Sequence, residues 1–529
     1  MTTEQYVITQ DTVGLFRQIR PAFQLETNEQ FLSASGEYFA CISDVLQTAL
    51  PQTKVTSFTE EAMNKALRER ARTYLQDNPD GLCICLDRFM LQDLDTDPAT
   101  ENQISRIGVC RDTRSEKVAR QGFAPLEDQI RNLLDRAAQS GKTRAIIIDD
   151  GLFTGGTVQE IIRLIQESGS QLEIDKIIGY IGNGSSSNTI EGVDAEIIER
   201  IADMYDWVDI RDFSPLGGKK KDAGNRNKAS SAIPYIYPWS MGEGASLTMS
   251  PDLFRLSKQM IASFQKLLSV YEEQTGNTPL TFYELVKAGF PLPTNRDKTV
   301  PVSLFEPVNE YLARCIEQVE QEEKRNVVVL DMDGTLYDLG AAGFAGSELN
   351  SRVNENGIRF IMQQESCDRE CAEIRWQEAL QDPVGASRFL SETYGISRNA
   401  FFDQVWDINP ETILKNYEEA VSTIRNFADT VNTGDDRVKM VLLTSAPSVW
   451  AAQVINYLGL SDVFESVYTG DMFGTKDEIF DILASRYIPE RIVSIGDQEQ
   501  TDIRPARERN MQTILINKPS DIASIDIFV

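Results

Sequence analysis

The stretch NVVVLDMDGTLYD reads as an apolar strand ending in Asp331, with Asp333 two residues on and Gly334 and Thr335 completing a turn. Positions i and i+2 beyond a strand can face one pocket, as a nucleophile and a paired general acid/base require. Three further segments carry compatible groups. MVLLT closes on Thr444 and Ser445, FGTKDEIF supplies Lys476, and IVSIGDQEQTD sets Asp497 and Asp502 after another strand. An open parallel sheet would gather all four segments at its carboxyl edge. Several carboxylates gathered at one edge repel one another, which a lysine and a hard, oxygen-bound cation would offset.

A second constellation is Ile146-Ile147-Ile148-Asp149-Asp150-Gly151-Leu152-Phe153-Thr154-Gly155-Gly156-Thr157. Two acids end a buried strand, and a turn of small residues opens a helix. Such a turn offers several amides to one anion, reinforced by the positive end of the helix. Glycines permit close approach, Thr154 and Thr157 add hydroxyls, and adjacent carboxylates suit the donor hydroxyls of a ribose.

The order and spacing of the four C-terminal segments resembles the haloacid dehalogenase superfamily over about residues 325–520. The resemblance implies Asp331 as the nucleophile that forms an aspartyl-phosphate, and Asp333 as the acid that protonates the leaving oxygen and then activates water. It implies Thr444 as phosphoryl ligand and Lys476 as charge neutraliser. Mg²⁺ would be held by Asp331, Asp497 and the backbone carbonyl of Asp333, with Asp502 orienting the lysine or supporting the metal shell. An acid at 333 favours phosphoryl transfer over dehalogenation, and the wording LDMDGTLYD is reminiscent of nucleotidase-like members.

The N-terminal constellation resembles the phosphoribosyl-pyrophosphate motif of type I phosphoribosyltransferases. That resemblance implies Asp149 and Asp150 beside the ribose 2- and 3-hydroxyls, and Phe153, Thr154, Gly155, Gly156 and Thr157 around the 5-phosphate. The family's pyrophosphate loop should carry basic residues. Arg111, Arg114 and Lys117 are the candidates and Arg88 the rival, unless they are solvated surface charges. For the base-binding hood, Trp207 or Phe213 could serve, as readily as either could be core. Lys219, Lys220, Lys221, Arg226 and Lys228 form a basic loop, either solvated or closing over a polyanion. Gly141-Lys142-Thr143 imitates the end of a P-loop, but Arg136 stands where glycine is needed and the run precedes its strand, so an ATPase is rejected.

The elements between these motifs set the expected fold. The first 80 residues read as mixed helix and loop, with a helix near EEAMNKALRERARTYL. Strands at 81–86 and 106–110 flank an acidic, turn-rich segment. A helix at 126–140, a strand at 143–148, the helix VQEIIRLIQESG and the strand KIIGYIG then alternate, the signature of α/β architecture with a parallel sheet. Residues 250–322 are helical in pattern. About a hundred residues separate NVVVL from VKMVLLT, too long for an ordinary crossover and better read as an inserted helical module. The expectation is two Rossmann-like parallel-sheet domains, 1–248 (with an N-terminal extension) and 325–529, joined by a helical connector, 249–324. The second carries a cap at about 340–435, which excludes water and selects a small phosphomonoester.

Composition narrows the chemistry. The 529 residues contain no histidine, so Ser-His-Asp and Cys-His mechanisms and imidazole-ligated metals are excluded. A net charge of −29 argues against nucleic acid or an anionic membrane as main partner. Seven scattered cysteines fit reduced thiols. Cys367 and Cys371 share a helix face but lack two further zinc ligands. No run reaches the ~20 apolar residues of a membrane helix, and the start lacks the pattern of a secretory signal, so a cytoplasmic protein is expected.

Together the resemblances imply a bifunctional enzyme. Phosphoribosyl pyrophosphate and a base would give a nucleotide, which a Mg²⁺-dependent phosphatase would convert to a nucleoside-like product. Phosphoribosyltransferases are often dimeric, which makes a homodimer or larger assembly the state to test. Three alternatives stand beside this reading: a nucleotide-sensing first domain that gates the phosphatase, an assembly module, and a nucleotide-depleting stress or defence effector.

Overall fold

Unbroken apolar runs such as Ile146–Ile148 and Val327–Leu330 need cover on both faces, which a parallel sheet between helices provides. The computed structural model describes residues 4–92, 94, 100, 102–111, 117–120, 123–184, 186–221, 231–294, 302–340, 343–382, 385–414, 417–431 and 438–527. It has an α/β architecture and divides into two units, Met1–Val319 and Glu320–Val529.

The main sheet of the first unit runs Ile104–Arg106, Gly81–Cys85, Arg144–Leu152, Glu173–Asn183, Val193–Ile201, Thr189–Ile190. Every pairing is parallel except the last. Strand alternation sends Ile147 to one face, against Ile130, Leu133, Ile161 and Ile165 of helices Leu126–Gln139 and Gly156–Glu167. Ile146 and Ile148 point the other way, against Met63, Leu67 and Leu75 of helix Glu60–Asp77. At about 1.5–3 kcal/mol for each buried aliphatic side chain, this layering fixes the strand whose end carries Asp149 and Asp150.

Two expectations change here. The first 80 residues also contain strands Gln5–Gln10 and Lys54–Thr59, which join Met204–Asp209 in a second parallel sheet with Gln5–Gln10 in the middle. Their pairing partners lie about 50 and 200 residues apart in sequence, so no local pattern signals the sheet. The helical stretch read as a connector is part of the first unit up to Val319. Helix Leu253–Gln274 places Phe264 and Tyr271 against Phe16, with ring centroids 6.1 and 4.5 Å away. In helix Val308–Glu323, Tyr311 shares a 2.8 Å hydroxyl contact with Tyr237. An amphipathic helix needs an apolar partner, and the N-terminal helices supply it.

The second unit holds a five-stranded parallel sheet ordered Ser466–Tyr468, Lys439–Leu443, Val327–Leu330, Ile492–Gly496, Gln512–Leu515. Helices Glu348–Glu365, Arg369–Gln381, Ala386–Tyr394 and Arg398–Val405 are inserted between the first two of these strands in the chain and pack on one another. Gly357 admits the Trp376 indole, where a Cβ would lie 2.5 Å from the ring. The following helix, Glu418–Val431, lies against Pro519–Ser524 and serves the sheet layer. The inserted cap is thus narrower than 340–435. Among the described residues no helix is long and apolar enough to cross a membrane.

Candidate functional site

In the second unit the parallel sheet delivers its motifs to one edge. Asp331 follows strand Val327–Leu330, and its amide bonds to the carbonyl of Ile495 on the neighbouring strand at 3.1 Å. Lys476 begins helix Lys476–Arg486, whose start is held by Glu478 accepting from the Thr475 amide at 3.2 Å. Its buried Nζ lies 2.5 Å from Asp331 Oδ1 and 2.7 Å from Asp502 Oδ1. Asp502 sits in a π-helical turn, Glu499–Ile503, and accepts from the Gln498 amide at 3.0 Å. Thr444 follows strand Lys439–Leu443, takes the Ala446 amide at 3.0 Å, and approaches Asp333 Oδ2 at 3.4 Å.

Carboxylate oxygens of Asp331, Asp497 and Asp502 lie within 4.8 Å of one another. Asp331 Oδ2 and Asp497 Oδ1 are buried with no hydrogen-bond partner. Gly334, at φ +92°, leaves the space in which a Cβ would stand 2.3 Å from Asp497 Oδ2. Burial, opposed by Lys476 and aided by Asp502 and Asp333, pushes Asp331 up to about 8. Burial and then Asp502 push Asp497 up to about 6, and burial raises Asp333. One lysine cannot balance four clustered acids, so this donor set fits a hard divalent cation. Three of the four expected metal residues converge through side chains. Asp333, the fourth, turns its carboxylate to Tyr337 and Thr444 instead.

In this site, sequence reasoning missed Tyr337. Its buried hydroxyl donates to Asp333 Oδ1 and accepts from Trp450 Nε1 at 3.2 Å. Trp450 lies 113 positions away, so only tertiary structure completes the chain Trp450–Tyr337–Asp333. Tyr337→Phe should unlatch the group expected to protonate the leaving oxygen. Hydrolysis of glycerol 3-phosphate, whose alkoxide needs a proton, should then fall at least about tenfold relative to p-nitrophenyl phosphate, whose leaving group needs none. Parallel losses on both substrates would reduce Tyr337 to a packing role.

In the first unit, Asp149 and Asp150 lie at the carboxyl end of strand Arg144–Leu152. The neighbouring strand leads to Asp87, which accepts from the amides of Phe89 (2.6 Å) and Met90 (2.7 Å). The smaller sheet contributes Asp11, Asp209 and Arg211, with Arg211 2.5 Å from Asp11 Oδ2 and also bonded to Asp209. Burial and then Asp87 push Asp149 up to about 7. Burial, Asp149, Asp87 and Asp209 hold Asp150 well above the usual carboxylate range against the pull of Arg211. None of Asp11, Asp87, Asp209 or Arg211 was singled out from sequence, because the second sheet was not foreseen.

The turn after these acids leads straight into a helix. Gly155 takes φ +70° ahead of helix Gly156–Glu167, and Phe153 and Thr154 are exposed. Lys117 brings its ammonium to 3.5 Å from the position a Cβ on Gly156 would occupy. A cation at the positive end of a helix is unfavourable unless an anion joins them. Of the other basic candidates, Arg88 spends its guanidinium on the carbonyls of Ala288 and Gly289. Arg111 ends strand Val109–Arg111, but its side chain, like all of Arg114, lies outside the described residues, as do Arg226 and Lys228. Lys219–Lys221 pairs antiparallel with Ser231–Ile233. Trp207 lies across Gly151, where a Cβ would meet its ring at 2.0 Å, and its Nε1 reaches Thr9 Oγ1 at 3.4 Å. Phe213 is core, edge-on to Tyr235. In the cap, Cys367 and Cys371 gain Glu365 as a third donor within 4.8 Å, but Glu365 Oε1 is engaged by Tyr394 and Arg375.

The raised carboxyl values carry a stability sign. A carboxyl whose folded pKa exceeds its unfolded one favours folding below the unfolded value near 3.9, and that advantage is lost as pH climbs to the folded value. Asp150→Asn should therefore raise the melting temperature at pH 8 and leave it nearly unchanged at pH 4. A lower melting temperature at pH 8 would show the carboxylate to be stabilising instead.

Residues 326–508 match the family of haloacid dehalogenase-like hydrolases. The second unit therefore contains a haloacid dehalogenase-like hydrolase domain. This part of the chain is similar to a protein described as a candidate β-phosphoglucomutase from Thermotoga maritima, at 18% identity over 38% of this chain and 97% of that one, with a TM-score of 0.23. It is also similar to YfnB from Bacillus subtilis, described as a candidate HAD-hydrolase bound to magnesium, at 16% identity, 38% and 100% coverage and a TM-score of 0.25. A haloacid dehalogenase-like family hydrolase from Xanthomonas campestris gives 17% identity, 38% and 94% coverage and a TM-score of 0.23. No curated protein matches the chain.

Proposed function

We propose that the chain is a bifunctional enzyme that joins phosphoribosyl pyrophosphate to a base and then dephosphorylates the nucleotide formed. The observation that carries the second step is the meeting of Asp331, Lys476, Asp497 and Asp502 at one sheet edge, beside Asp333 and Thr444. Asp331 attacks phosphorus, and the bond from phosphorus to the leaving oxygen breaks as Asp333 protonates that oxygen. Water, deprotonated by Asp333, then attacks the aspartyl-phosphate, releasing phosphate and restoring Asp331. Lys476 and Thr444 balance and orient the phosphoryl oxygens. Asp331, Asp497 and the carbonyl of Asp333, with Asp502 behind them, would hold Mg²⁺, which would offset the negative charge of acids and substrate.

The first step rests on Lys117 beside the glycine turn and on the acid pair ahead of it. The turn and Lys117 would hold the 5-phosphate while Asp149 and Asp150 accept from ribose hydroxyls. The base nitrogen then bonds to C1 as pyrophosphate leaves, and phosphate removal in the second unit draws this reversible step forward. Incubation of the full chain with Mg²⁺, phosphoribosyl pyrophosphate and a panel of bases should yield a nucleoside and pyrophosphate. With Asp331→Asn the reaction should stop at the nucleotide, and absence of both nucleotide and pyrophosphate rules the first step out. The engagement of Arg88 with backbone carbonyls favours a second reading, in which the first unit is a ligand sensor. Tight binding of phosphoribosyl pyrophosphate without turnover, together with ligand-dependent phosphatase rates, would identify it.

A further inference from the structure

Of the seven arginines between residues 340 and 435, five hold a carboxylate within 4 Å: Arg352, Arg359, Arg369, Arg375 and Arg425. Among the described residues, Arg388 and Arg398 hold none. They sit on consecutive cap helices, Ala386–Tyr394 and Arg398–Val405. Arg398 Nε donates to Ser387 Oγ at 3.3 Å, and its guanidinium lies over the Phe402 ring, 5.2 Å from the centroid. Burial and the neighbouring charge of Arg388 lower the Arg398 pKa, so the two cations strain against each other. The acid that offsets them, Asp471, is already bonded to the amide (3.0 Å) and hydroxyl (2.6 Å) of Ser448.

Their position relates them to the phosphoryl site. Arg398 Nη2 reaches the carbonyl of Gly470 at 3.5 Å. Gly470 in turn bonds through its amide to the Ala446 carbonyl at 2.8 Å, and it lies so close to Ser445 that a Cβ would stand 2.0 Å from that residue's oxygen. Thr444, Ser445 and Ala446 form the loop that faces Asp333. The cap thus brings the unneutralised guanidinium of Arg398 to the rim of the loop expected to bind the phosphoryl group, and Arg388 follows directly on Ser387, to whose hydroxyl Arg398 is bonded. A planar guanidinium held over an aromatic face presents its donors in the fork that matches a carboxylate or a phosphate.

We propose that Arg388 and Arg398 form an anion subsite at the mouth of this site, and that the preferred substrate is a phosphomonoester whose leaving group carries a second anionic group, a phosphate or a carboxylate. The inference rests on the phosphatase reading of Asp331. A nucleotide bearing an acidic base is one member of this substrate class.

Matched pairs test it on the full chain with Mg²⁺. The kcat/KM for fructose 1,6-bisphosphate should exceed that for fructose 6-phosphate, or that for 3-phosphoglycerate should exceed that for glycerol 3-phosphate, by about tenfold to a hundredfold. The pair that shows the preference identifies phosphate or carboxylate as the second group. In the Arg388→Gln/Arg398→Gln double variant that ratio should collapse toward one, mainly through KM. A ratio near one in the wild type, or one that survives the double substitution, overturns the subsite. Equal losses on both members of each pair leave the ratio intact and count against it in the same way. Calorimetric binding of the same pairs to the Asp331→Asn protein reads the subsite without turnover. An inactive wild type would therefore sink the phosphatase reading, while the calorimetric ratio still decides the subsite.

Discussion

Asp331→Asn should lower phosphate release from p-nitrophenyl phosphate in the presence of Mg²⁺ by at least about a thousandfold, the scale of losing a covalent nucleophile. The side chain is nearly isosteric, so Lys476 keeps a neighbour and the fold should survive. An amide, however, has no charge with which to attack phosphorus, and it weakens the cluster of acids that would hold the cation. Far-ultraviolet circular dichroism should be unchanged, and no phosphorylated residue should be trapped in the variant. Residual turnover within tenfold of the wild type would show that Asp331 is not the nucleophile.

The second large effect is on stability. Among the described residues Lys476 is the single cation in contact with the clustered acids, and it touches two of them, Asp331 and Asp502. Burial disfavours its charge, but these two carboxylates hold its pKa above the ordinary lysine value. Lys476→Met would leave both acids buried and unpaired, a change that costs about 3–5 kcal/mol in buried pairs. For a unit of this size the melting temperature should fall by about 10 °C. Millimolar Mg²⁺ should return part of the loss by binding only the folded state, while turnover stays abolished. A drop below about 2 °C would mean that Lys476 does not hold the site together.

The two sites differ in how much of each is local. In the second unit each reacting group sits directly after a strand or at a helix start, so position along the chain already fixes position on the sheet edge. That is why Asp331, Lys476, Asp497 and Asp502 converge as their motifs imply. In the first unit the acid pair and the glycine turn are equally local, but the groups around them come from a sheet whose strands begin at Gln5, Lys54 and Met204. Asp11, Asp209 and Arg211 enter the site only because those distant strands pair.

The amino-acid sequence by itself determined the α/β architecture, the strand ends that carry the acids and the insertion between Val327–Leu330 and Lys439–Leu443. These follow from apolar runs, turn residues and spacing, which act over a few residues. Only the tertiary structure decided that Tyr337 links Trp450 to Asp333, that Phe213 is core, and that the helical stretch after 249 joins the first unit up to Val319. It alone shows that the cap ends before Glu418 and that, among the described residues, Arg388 and Arg398 lack acids. Each of these depends on which side chain meets which across a long sequence separation, where burial and pairing are settled by the packed whole.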